Sequence, residues 1–226
     1  MKLLAVDTVT EYCSVALFID GELTFREALA RQSHTEMILP MVDELLAEAG
    51  INLKQLDVIA FDRGPGSFTG LRIGAGITQG LAFGAGLPVI PVSSLQILAQ
   101  GCYQHRHQQN VLACIDARQG ETYWGCFHLL SDIMILDGNE QLGKPDTVLT
   151  PPDAVYYGIG TGFDTFENEL RNNPNVTLSD YDKNSYPLAQ DIITIATRAW
   201  EQREYVVASA ALPVYLRDKV ATPKMR

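Results

Sequence analysis

Residues 61–76 read FDRGPGSFTGLRIGAG, and this stretch predicts how a strand of the protein joins a helix. The apolar run LDVIAF at 56–61 is typical of a buried strand, and the periodic apolar residues that follow predict a helix over about 68–85. Between them, the GPGS segment at 64–67 forms a tight loop. Backbone N–H groups at such a helix start commonly bind a phosphate, but a plain strand-to-helix turn capped by Ser67 fits the same sequence.

The predicted helix contains glycine at four interior positions, which is unfavourable in an isolated helix. Gly74, Gly76, Gly80 and Gly84 each cost about 1 kcal/mol relative to alanine, so another interaction has to offset them. The last three recur every four residues and therefore share one smooth face. Either the chain's own sheet packs on this face or a helix of a second subunit does, and the sequence favours the second subunit.

Another helix is predicted earlier in the chain, at about 33–49. Ser33 and Glu36 have the spacing of a capping box, Gly50 follows the helix, and Pro40 bends it. Its apolar stripe includes methionines and is wider than one core contact requires, which also favours partner binding. The predicted partner surface consists of Met37, Met41, Leu45, Leu71, Gly76, Gly80 and Gly84.

The chain repeats one pattern of elements. VLACIDARQGETYWGCFHLL at 111–130 has the same layout as KLLAVDTVTEYCSVALFI at 2–19, namely strand, aspartate, polar turn and strand. AVYYGIGTGFDTFENEL at 154–170 then repeats the strand, glycine loop and helix found at 56–76. The repeat predicts a duplicated α/β fold with two lobes and a cleft between them.

The predicted lobes are residues 1–108 and residues 109–226. The boundary is placed in the polar segment CYQHRHQQN at 102–110, which is interpreted as a linker. A final helix, LAQDIITIATRAWEQ at 188–202, precedes a tail. This helix or the tail is expected to cross back and pack on the first lobe.

The repeat places an aspartate after the first strand of each lobe. Asp7 and Asp116 could orient a metal-bound nucleotide or act as a base, or each side chain could cap its own loop in an Asx turn. The sequence has no HxxxH or HExxH motif and no Cys/His set with metal-ligand spacing, so neither a metal nor a catalytic residue is predicted. The candidate nucleotide or phosphate site consists of Asp7, Gly64, Gly66, Ser67, Asp116, Gly158 and Gly160.

Composition narrows the class of protein. The 226 residues carry a formal net charge of −10, which argues against unaided nucleic-acid binding. The one basic cluster is the tail, which is either a solvated terminus or a contact to a polyanion held by a larger partner. It contains Arg217, Lys219, Lys224 and Arg226. No apolar run is long enough to cross a bilayer, and the cysteines show no paired spacing, so a cytoplasmic protein with reduced thiols is expected.

Nearly the whole chain resembles the bacterial TsaB (YeaZ) proteins. The resemblance rests on the segments LLAVDTVTEYCSVAL, RQSHTEMILPMVDELL, GPGSFTGLRIGAGITQGLAFG, IDARQGETYW and PVYLRDKVA. It implies the two-lobed fold of actin, Hsp70 and sugar kinases (the ASKHA fold), in agreement with the repeat. The GPGS loop then looks like a vestige of a nucleotide-binding ancestor.

The resemblance also implies a pathway and partners. TsaB proteins act in making threonylcarbamoyladenosine, the modified adenosine beside the anticodon of certain tRNAs. The implied role is a non-catalytic subunit that dimerises with TsaD, the catalytic member, through the helices at about 33–49 and 68–85, and activates it. A homodimer is implied in isolation, TsaE is implied to join the TsaB–TsaD pair, and tRNA is contacted only indirectly.

Cofactor use follows from the same resemblance. TsaC makes the threonylcarbamoyl-adenylate, and ATP is handled by the complex through TsaE and TsaD, so no cofactor is expected on this chain. Two other functions stay open at this point. One is an ATPase or phosphotransferase that uses the cleft between the lobes, and the other is a glycopeptidase, a label that the family has carried by analogy.

Overall fold

A computed structural model describes residues 1–30 and 33–217 of the chain. Its strands form two sheets of five strands each. The first sheet contains β1 (Lys2–Asp7), β2 (Tyr12–Ile19), β3 (Glu22–Leu29), β4 (Val58–Gly64) and β5 (Val89–Ser93). The second sheet contains β6 (Asn110–Arg118), β7 (Glu121–Leu130), β8 (Ile133–Gly143), β9 (Tyr156–Ile159) and β10 (Leu178–Asp182).

The two sheets have the same topology. The first has the order β3-β2-β1-β4-β5, in which β1, β2 and β3 are antiparallel while β4 and β5 run parallel to β1. The second has the order β10-β9-β6-β7-β8, in which β6, β7 and β8 are antiparallel while β9 and β10 run parallel to β6. This duplication confirms the predicted two-lobed α/β fold.

The α-helices lie between and after the strands and are numbered in chain order. They are α1 (His34–Glu48), α2 (Phe68–Ala85), α3 (Ser94–Arg106), α4 (Gly162–Thr165), α5 (Glu167–Arg171) and α6 (Ala189–Gln202). The predicted bounds of α2 are confirmed. Ser67 is its N-cap, and its hydroxyl accepts a hydrogen bond from the N–H of Gly70 at 3.4 Å. At its other end the left-handed Gly86 terminates the helix.

Two local predictions were wrong. Ser33 precedes α1 without a side-chain cap, because its φ of −101° and ψ of 18° lie outside the extended conformation that a capping serine adopts. The segment 102–110 is not a linker over most of its length, since α3 continues to Arg106 and ends at the left-handed His107. The segment contains neither glycine nor proline, and Cys102 is buried in the core, so the helix continues through its polar residues.

Helices α3 and α6 are exchanged between the lobes. In α3, Leu95, Leu98 and Cys102 pack against residues of the second sheet. In α6, Ile192 and Ile195 pack against residues of the first sheet. The packing of the core therefore does not follow the predicted lobes 1–108 and 109–226. The helix before the predicted boundary, α3, covers the second sheet. The last helix, α6, crosses back to the first sheet, as expected from the sequence.

The chain after α6 also returns to the first lobe; residues 206–217 are called the C-terminal strap. Val206 pairs with Val89 at the edge of the first sheet. Farther along, the N–H of Val214 donates to the carbonyl of Arg63 at 2.8 Å. The strap then reaches the second lobe, where Arg217 lies 2.5 Å from Glu121. The other basic tail residues, Lys219, Lys224 and Arg226, lie outside the described residues.

Candidate functional site

The glycine loop before α2 is tied to the turn after β1. The N–H of Ser67 donates to the carbonyl of Val9 at 2.9 Å, and the N–H of Gly64 donates to Asp62 at 2.8 Å. A Cβ atom on Gly66 would lie 2.2 Å from a methyl of Val9, so only glycine fits there. Two N–H groups of the loop, those of Gly64 and Ser67, are therefore used inside the protein, and Gly66 allows close packing against Val9.

Asp7 faces a second aspartate that the sequence analysis missed. The parallel register pairs Val6 with Phe61, so Asp7 and Asp62 come next on neighbouring strands, about 4.8 Å apart, and point to the same side of the sheet. Both are buried, and one carboxylate oxygen of each, Oδ2, lacks a hydrogen-bond partner. The signal available in the sequence was the equal position of the two aspartates at the ends of adjacent parallel strands.

The remaining carboxylate oxygens hold the two loops. Asp7 Oδ1 accepts the N–H of Val9 at 2.8 Å, which is the Asx turn that the sequence left open. Asp62 Oδ1 accepts the N–H of Gly64 at 2.8 Å and the hydroxyl of Ser94 at 2.6 Å. Asp7 thus holds the turn after β1, and Asp62 holds the loop before α2.

Burial changes the protonation of this pair. Burial, followed by the negative charge of Asp62, raises the pKa of Asp7 well above its ordinary value. Burial also raises the pKa of Asp62 to about 7, although its hydrogen bonds from Ser94 and Gly64 act in the opposite direction. We assign a proton to Asp7, because Asp62 receives more hydrogen bonds to its ionised form.

A cleft of about 590 Å³ lies between the lobes. Gly66, Ser67 and Asp116 line it, together with residues of the strap such as Tyr215. The other four residues of the candidate nucleotide site, which are Asp7, Gly64, Gly158 and Gly160, are not part of its lining. The structure therefore brings only part of the predicted site together.

Asp116, the aspartate of the second lobe, is already engaged at the cleft. It accepts the N–H of Arg118 at 2.8 Å in an Asx turn, and its other oxygen lies 3.2 Å from the Arg118 guanidinium. Arg118 also contacts Glu11 of the first lobe at 3.0 Å. Asp116 is thus a loop-capping, ion-paired carboxylate that takes part in a bridge across the cleft.

A side chain added at Gly158 or Gly160 would clash with protein atoms of the second lobe, so the prediction that these glycines belong to the candidate site is corrected. Gly158 lies inside β9, and a Cβ atom there would lie 2.3 Å from the ring of Phe163. Gly160 has a φ of +108°, and its Cβ would lie 2.2 Å from the carbonyl of Cys114. Both glycines are required by packing within the second lobe.

The glycines of α2 fall into two groups. Gly74 faces Thr8, whose hydroxyl would be 2.7 Å from an added Cβ. In contrast, Gly76, Gly80 and Gly84 are exposed, and an added Cβ would meet nothing within 4 Å. This open stripe is the smooth face that the sequence predicted, and the neighbouring side chain of Phe83 is 84% exposed.

Part of the predicted partner surface lies in the core. Leu45 is 1% exposed and Leu71 is 2% exposed, so neither can belong to a surface in this structure. Met37 and Met41 are half-buried at the margin of the core of the first lobe. The stripe on α1 is wide because the helix packs on β2, β3 and α2 at once.

Other candidate chemistries find little support in the described residues. Within 1–30 and 33–217, no group of three or more His, Cys, Asp and Glu side chains is placed to hold a metal. Ser67 uses its hydroxyl to cap α2, and no histidine contacts it among the described hydrogen bonds. Across the same residues, no helix is both long and apolar enough to span a membrane.

Comparison with known proteins decides the family. The chain is 40% identical over 238 residues to the tRNA threonylcarbamoyladenosine biosynthesis protein TsaB of Haemophilus influenzae, covering all of this chain and 97% of that protein. It is also 40% identical over 229 residues to TsaB of Escherichia coli, covering all of this chain and 98% of that protein. The chain belongs to the TsaB family.

A solved structure and a family model agree with this assignment. YeaZ from Pseudomonas aeruginosa has a TM-score of 0.90 and 44% identity, covering 95% of this chain and 99% of that chain. The ASKHA-like fold that the resemblance implied is therefore confirmed. Residues 27–162 match the model described as TsaD, tRNA N6-adenosine threonylcarbamoyltransferase, so the TsaB family shares sequence features with that enzyme family.

Proposed function

We propose that this chain is a non-catalytic subunit in the threonylcarbamoyladenosine modification of tRNA, and that it binds and activates TsaD. The observation that carries the proposal is the exposed glycine stripe of α2, made of Gly76, Gly80 and Gly84. These residues weaken the helix, and no contact within the described chain offsets them. A helix of a partner can approach such a face closely, so α1 and α2 form the proposed binding surface.

The state of the cleft supports a role without catalysis. Asp7 is buried beside Asp62 and its pKa is raised, while Asp116 is ion-paired with Arg118. A general base or a metal ligand needs a carboxylate that can reach the substrate, and neither of these is free to do so. Catalysis is therefore assigned to TsaD.

The proposal extends to the other components of the reaction. TsaE joins the pair, ATP is used through TsaE and TsaD, and the isolated chain forms a homodimer through the same helices. The net charge of −10 supports leaving most of the tRNA contact to another subunit. We place the complex in the cytoplasm, where tRNA is modified.

The first test is reconstitution of the reaction. Threonylcarbamoyl transfer to tRNA is measured with TsaC, TsaD and TsaE, with and without this chain. The proposal predicts activity only when the chain is added, and none when TsaD is omitted. Equal activity without the chain would refute it.

A single substitution then tests the surface. Gly80→Leu places a branched side chain on the open stripe and should abolish TsaD binding, while Gly80→Ala should weaken it much less. Glu201→Leu adds the same side chain to an exposed position of α6 and serves as the control. Unchanged TsaD affinity in Gly80→Leu would show that the stripe is not the binding surface.

The size of the cleft favours one alternative, an ATPase or phosphotransferase. A volume of about 590 Å³ is within the range of ligand pockets, and Ser67 and Thr161 line it. Titration of the isolated chain with ATP up to millimolar concentration, followed by calorimetry, separates the two functions. Absence of binding excludes the enzyme, whereas binding that is lost when bulk is added at Thr161 would favour it.

A further inference from the structure

The C-terminal strap lies directly against α2, the helix with the open glycine stripe. The side-chain amide of Gln79 donates to the carbonyl of Ala211 at 2.9 Å. One helical turn from the helix start, the Nε of Arg72 donates to the hydroxyl of Tyr215 at 3.2 Å. Residues far apart in sequence therefore form one surface with α2.

The guanidinium of Arg72 stacks on an aromatic ring and forms no salt bridge with the described residues. Its guanidinium carbon lies 3.6 Å from the ring centre of Phe68 and 6.0 Å from that of Tyr215. Among the salt bridges of the described residues, none involves Arg72. An exposed guanidinium held flat by two rings, with free N–H groups, is arranged to receive a carboxylate.

The strap also exposes apolar side chains beside this arginine. Leu212 is 60% exposed and Tyr215 is 42% exposed, and both belong to a segment fixed by hydrogen bonds to the first lobe. Tyrosine and arginine are enriched among the residues that dominate the energy of interfaces, and Leu212 adds apolar area that a partner could bury. The surface continues along α2 to the glycine stripe.

We infer that the strap forms a third side of the TsaD-binding surface, in addition to α1 and α2; this inference rests on the proposed function. Leu212 and Tyr215 pack against apolar side chains of TsaD, and Arg72 pairs with a carboxylate of TsaD. Continuity of the surface identifies this occupant. The strap is hydrogen-bonded along α2, whose glycine stripe the proposed function assigns to TsaD, so one partner covers both.

The test compares two leucines of similar exposure. Leu212→Ser removes the apolar contact on the strap, and Leu149→Ser, at a position 55% exposed in the second lobe, is the matched control. The affinity of each purified variant for purified TsaD is measured by titration calorimetry, after thermal unfolding shows that each is folded. The Kd is expected to rise about tenfold or more for Leu212→Ser and to stay unchanged for Leu149→Ser.

Two further variants examine the arginine. Arg72→Gln should raise the Kd for TsaD by about tenfold, because it removes the charge that meets the carboxylate. Tyr215→Phe keeps the ring but loses the hydroxyl that orients Arg72, and should have a smaller effect in the same direction. In Arg72→Gln the residual affinity should depend less on salt concentration than that of the wild-type chain.

The outcomes distinguish the inference from the proposed function. If Gly80→Leu abolishes TsaD binding while Leu212→Ser and Arg72→Gln change the Kd less than twofold, the strap lies outside the interface, and the inference fails although the function stands. If the wild-type chain does not bind TsaD, the function itself fails. Variants that weaken only self-association also overturn the inference. Slower amide hydrogen exchange at residues 207–215 in the TsaD complex would support it independently.

Discussion

The buried pair Asp7 and Asp62 makes the stability of this protein depend on pH in a direction opposite to that of most aspartates. Aspartates in salt bridges have lowered pKa values and stabilise the folded state as pH rises. Here burial raises both pKa values, to about 7 for Asp62. The folded chain therefore keeps a proton that the unfolded chain has already released above about pH 4.

The sign and the magnitude follow from proton linkage. Because the folded state binds more protons between about pH 4 and 7, the free energy of unfolding decreases as pH rises, by about 1.4 kcal/mol per pH unit for one proton. Over pH 5 to 7 the loss is about 3 kcal/mol. Nearby charges modify this value. Arg63 lowers the pKa of Asp62, whereas Asp191 raises that of Asp7, and the thiol of Cys13 has a pKa raised to about 12 and stays neutral.

Asp7→Asn is the perturbation that isolates this effect. An asparagine oxygen can still accept the N–H of Val9, and its NH₂ group is uncharged, like the protonated carboxyl that it replaces. The unfolding free energy of the variant should fall less steeply with pH than that of the wild type, by about 1.4 kcal/mol per pH unit while Asp7 keeps its proton, so its stability relative to the wild type should rise from pH 5 to pH 8. Burial raises the pKa of Asp191 to about 6, so a smaller slope below that pH is expected to persist.

Urea unfolding followed by circular dichroism from pH 5 to pH 8 measures the slope directly. Asp153→Asn, at an exposed position, serves as the control and should keep the wild-type slope. An Asp7→Asn protein whose unfolding free energy falls as steeply with pH as that of the wild type would refute the assignment of a proton to Asp7. Loss of stability in the variant at every pH would do the same, since it would mean that the amide cannot replace a protonated carboxyl.

Two further predictions concern glycines and thiols. Gly70→Ala should destabilise the fold by about 2 kcal/mol or more, since its Cβ would lie 2.0 Å from the carbonyl of Thr8. Gly76→Ala places its Cβ in open space and should stabilise the isolated chain by up to about 1 kcal/mol. The urea midpoints of the two variants measure this difference. Burial raises the pKa of Cys13 and Cys102 to about 12. Both thiols should therefore react with a disulfide reagent at pH 8 only as fast as the chain unfolds. A faster reaction of the native protein would contradict this prediction.

Features with local signals could be predicted from the sequence. The bounds of α2 were set by Ser67 at one end and the glycine after Ala85 at the other, and the structure keeps both. The duplicated strand plan was likewise encoded by apolar runs that become continuously buried strands and by the polar turns between them. In each case the responsible residues are neighbours in the chain.

Features set by distant contacts could not be predicted in the same way. Leu45 and Leu71 have the periodicity of a partner face, but the sheet below and the neighbouring helix bury them. The return of α6 to the first sheet was expected, but the packing of α3 on the second sheet was not, because it depends on which sheet the apolar face of that helix covers. Asp62 gave no signal by itself, because its role depends on the register of β4 against β1.

The glycines of α2 are of two kinds: the fold requires some of them and does not require the others. Gly70 and Gly74 face the turn at Thr8, where any side chain would clash, so the fold of the isolated chain requires them. Gly76, Gly80 and Gly84 meet nothing, and together they cost roughly 3 kcal/mol relative to alanine, against a typical total stability of about 5–15 kcal/mol. Stability of the isolated chain alone would favour alanine at these three positions. The proposed complex would supply the compensation, since a helix that approaches the bare backbone gains contacts that alanine would prevent.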